Sequence, residues 1–189
     1  MTKSFESLTK LGTMLIFLSL IGCNSSNDAN NDKQIPSEEE KQSQISKIEK
    51  LHEDAMNAST NEEAKNASLE LFTNCTTFVE TFPRDPHCAD FMFMAAKAAN
   101  GLQKYEESLV LLDRMTRVYG NYDNLIEVYF LYAFTLDEDL NDKERAKEAY
   151  TKLMNKFPGE PLSKQAAVLI DQLYLSDEEL IKRLMDEDQ

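Results

Sequence analysis

The amino-acid sequence predicts an all-α protein in which helical hairpins stack into a solenoid. From Asn141 to Pro158, apolar residues recur every three or four positions among lysines and glutamates, a spacing that places them on one face of a helix. The segment from Lys104 to Gly120 repeats this pattern 38 residues earlier. No segment shows convincing β-strand alternation, and a two-helix unit repeated at this period is typical of a helical solenoid.

The repeat extends beyond these two helices. Residues 93–96 read FMAA and return as FLYA at 130–133, and the string Phe-Pro-x-acid-Pro occurs at both 82–86 and 157–161. A fainter copy of the second helix comes earlier in the chain, with corresponding residues Leu71, Cys75, Phe78 and Pro83. We therefore expect three related second helices, each ended by a similar turn.

The spacing of small residues within the hairpins resembles that of the tetratricopeptide repeat (TPR) family. There, a small residue in the first helix is followed about 12 positions later by another, and then by a large residue and a proline. The matching residues are Ala96, Ser108, Leu112 and Gly120 in one hairpin and Ala133, Ala146, Tyr150 and Pro158 in the next. The two small residues are 12 positions apart in the first hairpin and 13 in the second. The resemblance covers roughly residues 61–175 and extends to the TPR lipoproteins of bacterial outer membranes, including that of the barrel-assembly machine.

Residues 1–22 are predicted to be a lipoprotein signal peptide. Two lysines precede an apolar core from Leu11 to Ile21, which is shorter than the about 20 residues that a membrane-spanning helix needs. The core ends in LIGC at residues 20–23, which resembles the lipobox of bacterial lipoproteins. That resemblance implies cleavage before Cys23 and attachment of acyl chains such as palmitate to this residue. The alternative is an ordinary secretory signal with a chance cysteine.

The remainder divides into a linker and one helical domain. Residues 23–36 comprise the lipidated cysteine and a polar, asparagine-rich tether that cannot bury enough apolar surface to fold. Residues 37–189 form the predicted TPR-like domain. Its helices are expected at about 37–58, 60–81, 87–100, 103–119, 123–137, 142–157 and 161–174, followed by a short C-terminal capping helix at about 176–185. Three of these helices begin with a Ser or Thr three residues before a glutamate, at Ser37, Thr60 and Ser176, a capping-box signature.

Charge excludes nucleic acid as a partner. The formal net charge is −14, and removal of residues 1–22, with two lysines and one glutamate, leaves 18 basic and 33 acidic residues. Such a surface repels polyanions, and the sequence shows no basic stripe that offsets it.

The sequence does not indicate a catalytic site, a metal site or a cofactor. His52 and His87 are far apart and lack metal-ligand companions at useful spacing. Cys75 and Cys88 are expected to be buried free thiols. On adjacent antiparallel helices, the two would be about 10 Å apart along the axis, beyond the roughly 7 Å Cα separation that a disulfide allows.

The resemblance to TPR proteins implies that the first helices of successive hairpins line a groove for a partner. Carried over to this chain, the groove positions are Asp90, Phe93 and Lys97 in one hairpin and Glu127, Phe130 and Phe134 in the next. The alternative is that these rings pack in the core, as aromatic residues at helical spacing more often do.

Together these features predict a lipid-anchored, non-catalytic adaptor that binds another protein of the cell envelope, such as an outer-membrane assembly complex. We expect it on the bacterial outer membrane, facing the periplasm or exposed at the surface. The alternatives are a surface-exposed lipoprotein subunit of a nutrient-uptake complex and a cell-wall-associated enzyme.

The lipid anchor predicts the behaviour of the Cys23→Ser variant. Without its thiol the chain cannot accept a diacylglyceryl group, and two or more acyl chains are what hold such proteins stably on a bilayer. Fractionation of cells should therefore find wild-type protein with the membranes and the variant in the soluble fraction. Retention of the variant in the outer membrane, with no partner holding it there, would count against the anchor.

Overall fold

The all-α prediction is confirmed by a computed structural model, which describes residues 36–176 and the single positions 178, 179, 182 and 185. Cys23, the signal peptide and most of the linker lie outside the described residues. Within the described part there are no strands. Its α-helices are α1 Glu38–Met56, α2 Asn61–Thr81, α3 Cys88–Gly101, α4 Tyr105–Val118, α5 Leu125–Phe134, α6 Lys143–Lys156 and α7 Pro161–Gln172. None of these helices is both long and apolar enough to cross a membrane.

The helix starts follow the predicted caps closely. At α1, Ser37 Oγ accepts the backbone N–H of Glu40 while the Glu40 carboxylate accepts that of Ser37, so the capping box is complete. At α2, Thr60 Oγ1 accepts the N–H of Glu63, whose carboxylate accepts from Ser59 instead of Thr60. Ser176 and Glu179 form the third box. Positions 178, 179, 182 and 185 are helical, and the rest of the predicted capping helix lies outside the described residues.

Three turns that follow second helices share one backbone geometry. The C-cap residues of α2, α4 and α6 are Phe82, Tyr119 and Phe157. Their φ, ψ angles are −123°, 59°; −112°, 53°; and −128°, 63°. Six residues after two of them a side chain donates back to the turn, from Cys88 Sγ to the Phe82 carbonyl at 3.0 Å and from Ser163 Oγ to the Phe157 carbonyl at 2.6 Å. The repeat read from the sequence is therefore also a repeat of local structure.

Consecutive helices pack against one another along the whole described domain, and the predicted small residues lie on their buried sides. Ala96, Ser108, Ala133 and Ala146 are all fully buried. Ser108 Oγ donates a hydrogen bond of 2.9 Å to the backbone carbonyl of Ala96, which places the α4 side chain directly against the α3 backbone. The large residues that follow, Leu112 and Tyr150, are also fully buried.

The prediction of one continuous helix over 123–137 is wrong at its C-terminal end. The α-helical part ends at Phe134 and continues as a π-helical turn from Thr135 to Asp139, in which the N–H of Leu140 bonds to the carbonyl of Thr135. In hairpin α3–α4 the left-handed Gln103 lies seven positions after Ala96, whereas in hairpin α5–α6 the left-handed Asn141 lies eight positions after Ala133. The π turn takes up the extra residue.

Asp85 ties α1 to the turn before α3. Its Oδ1 accepts the backbone N–H of His87 at 3.0 Å and lies 2.7 Å from His87 Nδ1, while Lys41 Nζ of α1 is 3.3 Å from Oδ2. Burial acts to raise the pKa of this carboxyl, but the hydrogen bonds from His87 and Lys41 outweigh it and lower the pKa overall. The ionised carboxylate therefore anchors the first helix.

Cys75 and Cys88 are buried free thiols, as predicted. Burial raises the pKa of Cys75 to about 12, so its thiol remains protonated and inert at neutral pH. Burial raises the pKa of Cys88 as well.

Replacement of Tyr150 by alanine should be severely destabilising, because its ring is fully buried between helices. By comparison with other aromatic truncations in cores, the free energy of unfolding should fall by about 3 kcal/mol or more. Urea denaturation followed by circular dichroism measures this loss. Tyr150→Phe is the matched control, because it keeps the ring and removes only the 3.3 Å hydrogen bond to Asp137, which is worth about 1 kcal/mol. A loss below about 1 kcal/mol for the alanine variant would contradict the packing.

Candidate partner-binding face

The six predicted groove residues divide into three exposed, two half-buried and one buried. We call them together the α3/α5 face. Asp90, Lys97 and Glu127 are exposed, Phe130 and Phe134 are half-buried, and Phe93 is only 7% exposed. The charged members thus face solvent, while the aromatic members lie partly or wholly beneath other side chains.

On the α3 side, Phe93 is covered by two neighbours. Lys97 Nζ lies 4.7 Å from the ring centroid of Phe93, a cation–π arrangement one helical turn along α3. The edge of Tyr122 packs on the same ring with centroids 6.0 Å apart. A partner can reach Phe93 only if Lys97 or Tyr122 moves, so this ring acts as a support for the face.

Tyr122 joins the loop before α5 to α3. Its hydroxyl donates a hydrogen bond of 2.9 Å to Asp90 Oδ1, and Asn124 Nδ2 lies 3.4 Å from the same hydroxyl. Burial, with the nearby carboxylates of Asp90 and Glu127, raises the pKa of Tyr122 to about 12. The hydroxyl therefore stays protonated and keeps donating to Asp90 across the whole physiological pH range.

On the α5 side, the aromatic rings form a short stack. Phe130 and Phe134 are one helical turn apart, with centroids 6.0 Å apart and planes inclined by 20°. The other side of Phe130 rests on Tyr150 of α6 at 6.1 Å. Because Tyr150 is fully buried, Phe134 is the end of the stack that a partner can contact.

The π turn closes the far end of the face. Asn100 Nδ2, near the end of α3, donates to Thr135 Oγ1 at 2.7 Å and to Asp139 Oδ2 at 3.2 Å. This side-chain amide links the C-terminal end of α3 to the π turn. With the Tyr122–Asp90 bond at the other end, α3 is connected to the second hairpin at both ends of the face.

Carboxylates also gather at the π turn. Asp137 accepts a hydrogen bond from the Tyr150 hydroxyl at 3.3 Å. Burial raises the pKa of Asp137, partly opposed by that hydrogen bond and by the positive charge of Lys143. Burial and the charge of Asp139 raise the pKa of Tyr105. The hydroxyls of Tyr150 and Tyr105 are therefore donors, and the carboxylates of Asp137 and Asp139 accept from them.

The α3/α5 face suits recognition of a positively charged and partly apolar segment. It offers carboxylates at both ends and the exposed part of an aromatic stack between them, with Lys97 on α3 and Lys143 near the π turn as bases. An open hollow of about 480 Å³ lies beside Asp90, lined by Pro86, Ala89 and the loop at 118–124. In the part of the chain that the structure describes, no three His, Cys, Asp or Glu side chains cluster so as to hold a metal ion.

The sequence did not indicate every residue that builds this face. Tyr122 and Asn124 lie in a loop without periodicity, so nothing in their spacing predicts the bond to Asp90. The spacing likewise assigns no partners to Asn100 and Asp137, which the structure shows bonded to Thr135 and Tyr150. The single signal for the π turn was the step of 13 residues between Ala133 and Ala146.

Comparison with known proteins adds no relative: no family model matches the chain, and no curated protein matches it significantly.

Two truncations within the face should differ in their effect on stability. Phe93→Ala removes a buried ring and should lower the free energy of unfolding by about 3 kcal/mol. Phe134→Ala removes a half-buried ring at the end of a stack and should cost about 1 kcal/mol, in proportion to the smaller area buried. Urea denaturation of both variants measures the difference. Equal losses would mean that Phe134 belongs to the core as much as Phe93 does.

Proposed function

We propose that this protein is a lipid-anchored adaptor of the TPR type that binds another protein of the cell envelope through the α3/α5 face. The observation that carries the proposal is the connection of α3 to the second hairpin at both ends of that face, by Tyr122–Asp90 and by Asn100 with the π turn. A face fixed in this way is pre-organised for binding, since little conformational entropy is lost when a partner docks.

The repeated local structure supports the TPR-like solenoid. The turns at Phe82, Tyr119 and Phe157 share their backbone angles, and the small residues at the helix crossings are fully buried in both complete hairpins. Packing of each helix mainly on its neighbours in the sequence is the contact pattern of repeat proteins. In this arrangement the C-terminal helix predicted from the sequence at about 176–185 caps the last hairpin.

The chemistry of the partner follows from the charges on the face. A segment with lysine or arginine side chains complements Asp90, Glu127 and the acids of the π turn, and an apolar side chain beside them can pack on Phe134. Electrostatic attraction of this kind raises the association rate, and an aromatic anchor contributes most of the affinity.

The anchor places this face in the envelope. Acyl chains on Cys23 hold the protein at the outer membrane, and residues 24–36 connect it to the helical domain. The protein then acts on its partner by binding and positioning, without a catalytic step.

Site-specific photo-crosslinking in native membranes tests the proposal. A photoreactive phenylalanine analogue replaces Phe134, and the control carries it at Val110 on α4, which is 66% exposed. Capture of one envelope protein from position 134 and not from position 110 is the expected result. Equal capture from both positions, or none from position 134, would show that the α3/α5 face does not bind the partner.

With the captured partner purified, the contributions of the face can be measured by titration. Phe134→Ala should weaken binding about 30-fold, since an aromatic anchor contributes about 2 kcal/mol or more. Glu127→Lys should slow association. The matched change Glu106→Lys, at an exposed position on α4, should slow association less. Unchanged affinity for Phe134→Ala would contradict the assignment of that ring as the anchor.

A further inference from the structure

Four charged residues of α6 form one row across the exposed side of the helix. Glu144, Glu148, Lys152 and Lys156 follow one another at intervals of four residues, and all are exposed. Residues at this spacing form one of the ridges that side chains make on a helix surface. All four border a single open hollow of about 810 Å³. We call these four residues the α6 charge row.

The row has an acidic half and a basic half. Glu144 and Glu148 carry like charges, as do Lys152 and Lys156, and like charges four residues apart destabilise a helix. Only the central pair is placed to attract within the helix, but Lys152 Nζ lies 5.4 Å and Lys156 Nζ 5.8 Å from the ring centroid of Tyr129 instead. Among the described residues, none of the four charges belongs to an ion pair.

The row is complementary to a reversed copy of itself. Its charges are placed symmetrically about residue 150: Glu144 and Lys156 are each six positions away, and Glu148 and Lys152 are each two. If a second α6 lies antiparallel across the first with its centre at residue 150, each glutamate of one row meets a lysine of the other. Ridges of this kind lie alongside one another when two helices cross at about 50°, the commonest helix packing.

We propose that two copies of this chain associate through their α6 charge rows, with Glu148 of each copy beside Lys152 of the other and Glu144 beside Lys156. A two-fold axis generates such a contact, because each pair of residues then occurs twice. The contact uses none of the six residues of the α3/α5 face, so it does not depend on the function proposed for that face.

The other exposed residues of α6 do not oppose this contact. Thr151 and Asn155 are uncharged. Lys147 Nζ lies over the ring of a residue that follows α7, and Arg145 forms an ion pair of 3.3 Å with Asp142. The charge row therefore decides the electrostatics of an approaching helix.

The net charge of −14 makes two copies repel at long range. Screening in physiological salt limits this repulsion to about 8 Å, and the charges of two rows in contact are closer than that. A single helix from each copy makes a small interface, and small interfaces are typical of weak, reversible association. We therefore expect a dimer that forms at high local concentration.

Disulfide crosslinking of the full chain in the cells that produce it tests this proposal. Thr151→Cys places a thiol beside the proposed two-fold axis, while Cys75 and Cys88 are buried. After mild oxidation with copper phenanthroline, we expect a disulfide-linked dimer on a non-reducing gel. Val110→Cys, at a position on α4 that is 66% exposed, measures crosslinking by collision. The chain with neither substitution measures any dimer formed through Cys23.

Exchange of the central charges makes the test specific. In the Thr151→Cys background, Glu148→Lys or Lys152→Glu alone should lower the yield of dimer about tenfold, because both copies of an attractive pair become repulsive. Both changes in one chain should restore the yield, since that row again complements its reversed copy. Production of the two single variants in the same cells should restore it as well. The control Glu106→Lys changes the net charge as Glu148→Lys does, at an exposed position on α4, and should leave the yield unchanged.

Each outcome decides for or against the proposal. A yield that falls in the single variants and returns in the double variant and in the mixed pair supports it. A yield from Thr151→Cys no higher than that from Val110→Cys would overturn it, as would equal yields from the single and double variants. A disulfide from position 151 to a different protein, in place of the dimer, would overturn it in favour of that partner. Circular dichroism checks that each variant folds, as expected for substitutions at exposed positions.

Discussion

The close crossing of paired helices at small residues is the constraint on which the other features of the domain depend. At Ala96 and Ser108 the two helices approach so closely that a serine hydroxyl reaches the backbone carbonyl of its neighbour at 2.9 Å. Ala133 and Ala146 stand at the corresponding repeat positions and are equally buried. A larger side chain at any of these positions would force the helices apart, because close-packed interiors have no free volume to absorb it. The packing of α3 on α4 and of α5 on α6 follows from these crossings.

The helices were predictable because their amphipathic period and their caps agree. The helix predicted at 142–157 is observed as Lys143–Lys156, and the capping box at Ser37 forms as its residues require. The end of α5 was not predictable in the same way. One extra residue between Ala133 and Ala146 fits a longer loop as well as a wider helical turn. The hydrogen bonds from Asn100 to Thr135 and Asp139 favour the wider helical turn over a longer loop. They join two different hairpins, so the sequence of one hairpin does not reveal them.

Repeat position did not determine the environment of the aromatic residues on the face. Phe93 and Phe130 stand at the same place in successive hairpins, but Phe93 is covered by Tyr122 and Lys97 whereas Phe130 stacks on Phe134. The difference comes from the loop before α5, where Tyr122 has found an acceptor in Asp90. A sequence pattern reports which side of a helix a residue lies on, and it does not report what a neighbouring loop places over that side. The face was therefore predictable by position and not by exposure.

Net charge likewise concealed how the charges are distributed. The overall value of −14 suggested a uniformly acidic surface, yet α6 contains five basic residues. The charge of Lys143 acts on Asp137 of the π turn, while Lys152 and Lys156 lie over the ring of Tyr129. Screening in physiological salt limits the reach of exposed charges to about 8 Å, so each lysine acts mainly on the groups next to it. The π turn strengthens the acidic character of the face, since Asp137 and Asp139 reach it through hydrogen bonds to Tyr150 and Asn100.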